Sequence, residues 1–93
     1  MLIQLSETDT KGRAFLEIDG ELQAEMTYSK AGTSLLIVDH TEVVESLKGQ
    51  GVGRQLLLKI VEQARERGIK ILPLCPFAKS VFDKEASIRD VLK

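Results

Sequence analysis

From Arg13 to Val38 the chain alternates apolar and polar positions with a period of two, the spacing of strands whose side chains point to opposite faces. Ala14, Leu16 and Ile18 share one parity, and Asp19-Gly20 then supplies a two-residue hairpin signal. A second strand is predicted from Glu21 to Ser29, with Leu22, Ala24, Met26 and Tyr28 on one face. After the turn residues Lys30-Ala31-Gly32-Thr33, the run Ser34-Leu35-Leu36-Ile37-Val38 is unbroken in its apolar part. That predicts a central strand buried on both faces. The period changes beyond the glycines of the 49–53 segment. Val52, Leu56, Leu57, Ile60, Val61 and Ala64 form one helical stripe, and Gly68 stops the helix just past Arg65 and Arg67. Ile69 to Leu74 reads as a short strand that Pro73 assigns to an edge. Cys75-Pro76-Phe77 reads as a turn, and Ala78 to Lys93 as a final helix carrying Val81, Phe82, Ile88, Val91 and Leu92. The first ten residues lack such a pattern and are expected to be loosely held.

The predicted order is β-β-β-α-β-α, an α+β chain with an α/β-like half. Its mixed, mainly antiparallel sheet contains one parallel βαβ unit, because strand three, the helix and strand four need a crossover. Residues 1–93 are expected to form one domain, and 43% hydrophobic content suits a folded globule. Thirteen Lys and Arg against fourteen Asp and Glu leave a net charge of −1, which argues against nucleic-acid or membrane-surface partners. No apolar run approaches the roughly 20 residues of a membrane span, and the N-terminus lacks the pattern of a signal peptide. One cysteine cannot form an internal disulfide, so a cytoplasmic setting is expected. No metal site is expected, and a monomer is favoured.

The distinctive stretch is Lys48-Gly49-Gln50-Gly51-Val52-Gly53-Arg54, between a strand and a helix. Glycines let backbone amides approach an anion, and the free amides of a first helical turn point at it. No acidic side chain occurs from Gln50 to Lys59, while Lys48 and Arg54 flank the turn. A phosphate or pyrophosphate is the natural guest. The spacing is not that of a nucleotide P-loop, and the third glycine of a dinucleotide fingerprint is replaced by Arg54.

Lys48-Gly49-Gln50-Gly51-Val52-Gly53 resembles the Arg/Gln-x-x-Gly-x-Gly/Ala signature of the GNAT superfamily of acetyl-CoA-dependent N-acetyltransferases. Asp39-His40-Thr41-Glu42-Val43 and Leu72-Pro73-Leu74-Cys75-Pro76-Phe77 extend the resemblance to a minimal single-domain branch, over nearly the whole chain beyond Lys11. Lys48 replaces the usual Arg or Gln, and Val44 and Glu45 stand where the branch often has proline. The resemblance implies a truncated GNAT fold, short of the first strand and two helices that help form the acceptor side in most members. It also implies acetyl-CoA as cosubstrate. Its pyrophosphate would lie on Lys48, Gly49, Gln50, Gly51, Val52, Gly53 and Arg54. Its pantetheine amides would meet the backbone of Thr41, Glu42, Val43 and Val44.

Acetyl transfer to an amine needs a held thioester, a deprotonated amine and a proton for the leaving thiolate. His40 follows strand three and Cys75 follows strand four. Parallel neighbours would bring both out at one end of the sheet, where α/β ligand sites usually lie. Cys75 can serve as a nucleophile giving an acetyl-cysteine intermediate, as a general acid, or simply as a small buried hydrophobe. His40, the only histidine, suits proton transfer at neutral pH. The resemblance makes Glu42 the alternative base. It also places a tyrosine near the start of the last helix, where this chain offers only Phe77 and Phe82. Tyr28 shares a parity with the apolar positions of strand two and is expected in the core. The expected function is transfer of acetyl from acetyl-CoA to an amine of a small molecule or protein. The alternatives are a coenzyme A or acyl-CoA binding module without turnover, and an interaction domain.

Overall fold

The computed structural model describes residues 1–93. Five strands form one sheet in sequential order: β1 (Gln4–Glu7), β2 (Lys11–Ile18), β3 (Glu21–Ala31), β4 (Leu35–Val43) and β5 (Lys70–Pro73). The first three pairings are antiparallel, and β4 with β5 is parallel. The crossover is α1 (Val52–Arg67), preceded by a 3-10 turn at Glu45–Leu47. α2 (Pro76–Lys84) and a 3-10 segment at Ala86–Val91 end the chain. The architecture is thus the expected α+β sheet with its parallel unit, plus one strand.

That added strand corrects the expectation of a loose N-terminus. Gln4–Glu7 pairs with Gly12–Phe15, and Ile3 and Leu5 pack on the core. Glu7 explains why so polar a segment stays. Its carboxylate accepts a bidentate pair from Arg67 at the end of α1 (2.8 and 2.9 Å), the Tyr28 hydroxyl (2.5 Å) and Lys30 Nζ (3.3 Å). One side chain therefore joins β1, β3 and α1, a contact no local pattern announces. Tyr28 is 1% exposed, and its ring lies so close to Gly12 that a Cβ there would overlap it.

The Asp19-Gly20 turn is observed with positive φ at both residues (54° and 79°), as a two-residue hairpin with this twist requires. The α1 stripe is buried as predicted: Leu56, Leu57, Ile60 and Ala64 are fully covered, and Gly68 ends the helix in the left-handed conformation. Each of the Leu and Ile side chains stabilises by about 1.5–3 kcal/mol on burial. Other expectations differ: β3 runs on through Lys30 and Ala31 of the expected turn, β4 runs past Val38 to Val43 and takes in His40, Thr41 and Glu42, and Ile18 is exposed. β4 is not buried on both faces: Leu36 and Val38 face the helices, whereas Leu35 and Ile37 lie half-buried on a face no helix covers. Leu22 is exposed, because a register shift at Leu16/Glu17 in the β2–β3 pairing interrupts the alternation. Finally, the last helix begins at Pro76 rather than after a turn, and breaks at Glu85 before the 3-10 segment. Proline lacks the N–H that position N1 leaves unpaired anyway. The terminal Leu92 then bridges to Ile71 and covers the outer edge of β5.

Burial acts to raise the Glu7 pKa, but hydrogen bonds from Arg67, Tyr28 and Lys30 outweigh it and hold it at about 2, below the ordinary 4.5. A carboxylate with a depressed folded-state pKa contributes stability above its unfolded value and loses it as the pH falls through the folded one. The melting temperature should therefore drop between about pH 4.5 and 2. Glu7→Gln should lower it at pH 7 by the equivalent of about 1–3 kcal/mol and flatten that acid limb. An acid limb as steep in the variant as in the wild type, in melts across that range, would remove Glu7 from this role.

Candidate active site

After β4 the chain crosses the 3-10 turn, passes Gly49 and Gly51 with φ of 80° and 78°, and enters α1 at Val52. These φ values are strained for any residue with a Cβ, so glycine is dictated by the turn itself. Gly51 caps the helix without a side-chain bond, and no acid lies in the first turn. The backbone N–H groups of Val52, Gly53 and Arg54 accordingly find no acceptor in the protein. They border a cavity of about 720 Å³. Gly53 is required for a different reason: a Cβ there would stand 2.7 Å from the Phe77 ring at the start of α2.

The cavity exists because β4 outruns β5. Their ladder covers Leu35–Val38 against Lys70–Pro73. Val38 O then accepts both Leu74 N (2.9 Å) and Cys75 N (3.0 Å), and the chain turns away into α2. Val44 N donates to Gln23 O across the β3 side. By alternation, Thr41 and Val43 direct their backbone groups to the other side, into the gap that β5 vacates.

A bulge decides which side chains enter. Tyr28 pairs with Val38 but Thr27 with His40, so Asp39 is an extra residue. Asp39 accepts from Thr27 Oγ1 (2.5 Å) and Ser29 Oγ (3.3 Å). Beyond it the parity is reversed. Thr41 and Val43 oppose Met26 and Ala24 of the core, while His40 and Glu42 oppose Thr27 and Glu25 on the uncovered face. Thr41 Oγ1 lies 3.1 Å from Sγ of the buried Cys75, and His40 Nε2 lies 3.2 Å from Glu42 Oε1. No hydrogen bond joins His40 to Cys75.

Of the residues singled out from sequence, His40, Thr41, Val43, Lys48, Gly49, Gly51, Val52, Gly53, Arg54 and Cys75 line this one cavity. Glu42 and Val44 border a neighbouring hollow of about 410 Å³ that shares Thr41, Val43 and Lys48. Gln50 borders neither, and its amide donates to Ser46 O (3.1 Å). The two flanking cations are not free. Lys48 pairs with Glu45 (3.0 Å), and Arg54 makes a bidentate pair with Glu85 (2.7 and 2.8 Å). The hydrogen bonds of that pair raise the Arg54 pKa and lower that of Glu85. Glu85, Lys84 and Phe77 also border the cavity, and sequence reasoning did not connect Glu85 or Lys84 with it. No local spacing relates them to a helix that starts some thirty residues earlier.

The geometry meets its counterparts among known proteins. Residues 13–91 match the family model of a GCN5-related N-acetyl-transferase. The fold is shared with a GCN5-like protein of Staphylococcus aureus assigned to the N-acetyltransferases, whose solution structure is 37% identical. The TM-score is 0.72 over 97% of this chain and 87% of that one. A ribosomal-protein-alanine N-acetyltransferase from Brucella melitensis biovar Abortus is 19% identical, with a TM-score of 0.67 over 81% of this chain and 62% of its own. The enzyme AAC(6')-Iy, in complex with a CoA-containing bisubstrate analogue, is 13% identical, with a TM-score of 0.59 over 87% and 62%. Among curated protein sequences nothing matches. The family match, the 37% identity over nearly the whole chain and the shared sheet agree: the chain belongs to the GCN5-related N-acetyltransferases.

Proposed function

We propose that this protein transfers an acetyl group from acetyl-CoA to the nitrogen of an amine. The observation that carries the reading is the row of unpaired N–H groups at the start of α1, opening onto the same cavity as the vacated backbone edge of β4 and the thiol of Cys75. Unpaired amides at a helix start suit a pyrophosphate, and a strand edge with free donors and acceptors suits the amides of a pantetheine arm. When bound, acetyl-CoA supplies an activated thioester. Gly49 to Gly53 form the cradle for its pyrophosphate, flanked by Lys48 and Arg54, each of which is paired to a carboxylate. The backbone of Thr41 to Val44 aligns the arm.

Cys75 acts as the nucleophile. Its sulfur forms a bond to the acetyl carbon as the bond from that carbon to the coenzyme sulfur breaks, and the thiol proton passes to the departing thiolate. Thr41 holds the Cys75 sulfur in place at 3.1 Å. The acceptor enters from the uncovered face of the sheet. His40, with Nε2 3.2 Å from Glu42 Oε1, is the base that takes the amine proton as nitrogen attacks the acetyl-cysteine. The Cys75 thiolate leaves and is reprotonated, through solvent in the cavity, by the proton that His40 took from the amine. A second reading, an acyl-CoA binding module without turnover, is favoured by the absence of any His40–Cys75 hydrogen bond in the free protein.

Acetyl-CoA at a hundred times its dissociation constant should stabilise by about 2.7 kcal/mol, a melting shift of about 10 °C or more for a domain this small. ATP and NAD should give no comparable shift, and Gly51→Ala should shrink it by disturbing the amide row. No shift at millimolar acetyl-CoA would remove the site.

Incubation with acetyl-CoA should leave an acetyl adduct on Cys75, visible by mass spectrometry of the intact protein. Cys75→Ala should lose it and cut transfer to an amine by about a hundredfold or more. Full transfer activity in Cys75→Ala would sink the covalent route and leave direct attack.

A further inference from the structure

Resting on that reading of the cavity, we infer that Lys84 selects for the 3′-phosphate of the coenzyme, and so distinguishes coenzyme A from its 3′-dephospho form. Three cations border the cavity: Lys48, Arg54 and Lys84. Lys48 is neutralised by Glu45 and Arg54 by Glu85. Lys84 makes no ion pair or side-chain hydrogen bond within the protein, although its helix-mate Lys79 is held by Asp83 (3.2 Å). An uncommitted ammonium at a cavity rim is available to an incoming dianion without breaking an existing contact.

The position agrees with the polarity of the ligand. The pantetheine arm follows β4 inward past Thr41, and the pyrophosphate sits on the first turn of α1. The nucleotide therefore leaves toward solvent beyond that turn. The Arg54–Glu85 bridge ties the first turn of α1 to the end of α2, and Lys84, next to Glu85, borders the same cavity as that turn. The glycine amides are met by the pyrophosphate of either form. Only the 3′-phosphate tells the two apart, and an exposed lysine adds a contact that depends on salt.

The test is calorimetric titration of coenzyme A and 3′-dephospho-coenzyme A into the wild type, Lys84→Gln and Lys79→Gln at low salt. The wild type should bind coenzyme A about fivefold more tightly than the dephospho form, the size of effect expected of one exposed charge-assisted contact. Lys84→Gln should bring that ratio near one and leave the dephospho affinity in place. Lys79→Gln, with the same loss of charge on the same helix, should keep the wild-type ratio. A ratio unaltered in Lys84→Gln, or lowered equally by Lys79→Gln, would overturn the inference and leave the coenzyme site standing. Failure of the wild type to bind either compound would instead overturn the site itself.

Discussion

Everything in this small fold hangs on one helix being pressed against one face of the sheet. Leu56, Leu57, Ile60, Val61 and Ala64 are essentially inaccessible, and α1 touches β2, β3, β4, β5 and α2. With so little chain, no second layer can compensate if that stripe is displaced, since cores of this size are marginal. Two consequences follow. The Arg67 end must reach Glu7, which fastens β1 and closes the far edge of the helix. The Val52 end must fall where β4 parts from β5, because the crossover connects those two strands. The bare amides and the vacated strand edge are thus brought together by packing, with no contact devoted to the purpose.

Within that frame a single extra residue sets which side chains face the cavity. Without Asp39 as a bulge, strict alternation would send Thr41 to the uncovered face and His40 toward the core. With it, the polar pair His40–Glu42 faces the open side, and Thr41 meets Cys75 on the covered side. Asp39 is held in place by Thr27 and Ser29 of β3, so the bulge is anchored by hydrogen bonds and not merely tolerated. The His40–Glu42 pair and the Thr41–Cys75 pair therefore lie on opposite faces of the same strand, and His40, Thr41 and Cys75 border one cavity. That arrangement suits a donor threaded on one side and an acceptor arriving from the other.

The sequence made α1, its stop at Gly68 and the Asp19-Gly20 hairpin plain, because each rests on local periodicity or on a turn that glycine alone relaxes into. It also made plain the loop that carries the amides. What it hid were effects of pairing at a distance. β1 is held by Glu7 through partners 21 to 60 residues away, and nothing in Gln4-Leu5-Ser6-Glu7 marks a strand by itself. The apolar run of β4 reads as doubly buried because the sequence does not reveal that one face lacks helices. The bulge is invisible too, since it is a property of register between two strands. Gly53 was legible as a glycine but its cause was not: it makes room for the Phe77 ring, while Gly49 and Gly51 serve the backbone.

The commitment of Lys48 and Arg54 to carboxylates changes what must hold an anion here. Exposed cations already paired to acids gain little when a phosphate arrives, because each new contact is set against one lost and both are screened by water. The amides of Val52, Gly53 and Arg54 have no such alternative. They are fixed by the helix and unpaired in the free protein, and a hydrogen bond to a charged oxygen contributes about 1.5–3 kcal/mol. An anion at this helix start would therefore be held by geometry more than by net charge. A formal charge of −1 for the whole chain is thus no bar to such a guest. The Arg54–Glu85 pair is then a tie between the first turn of α1 and the end of α2.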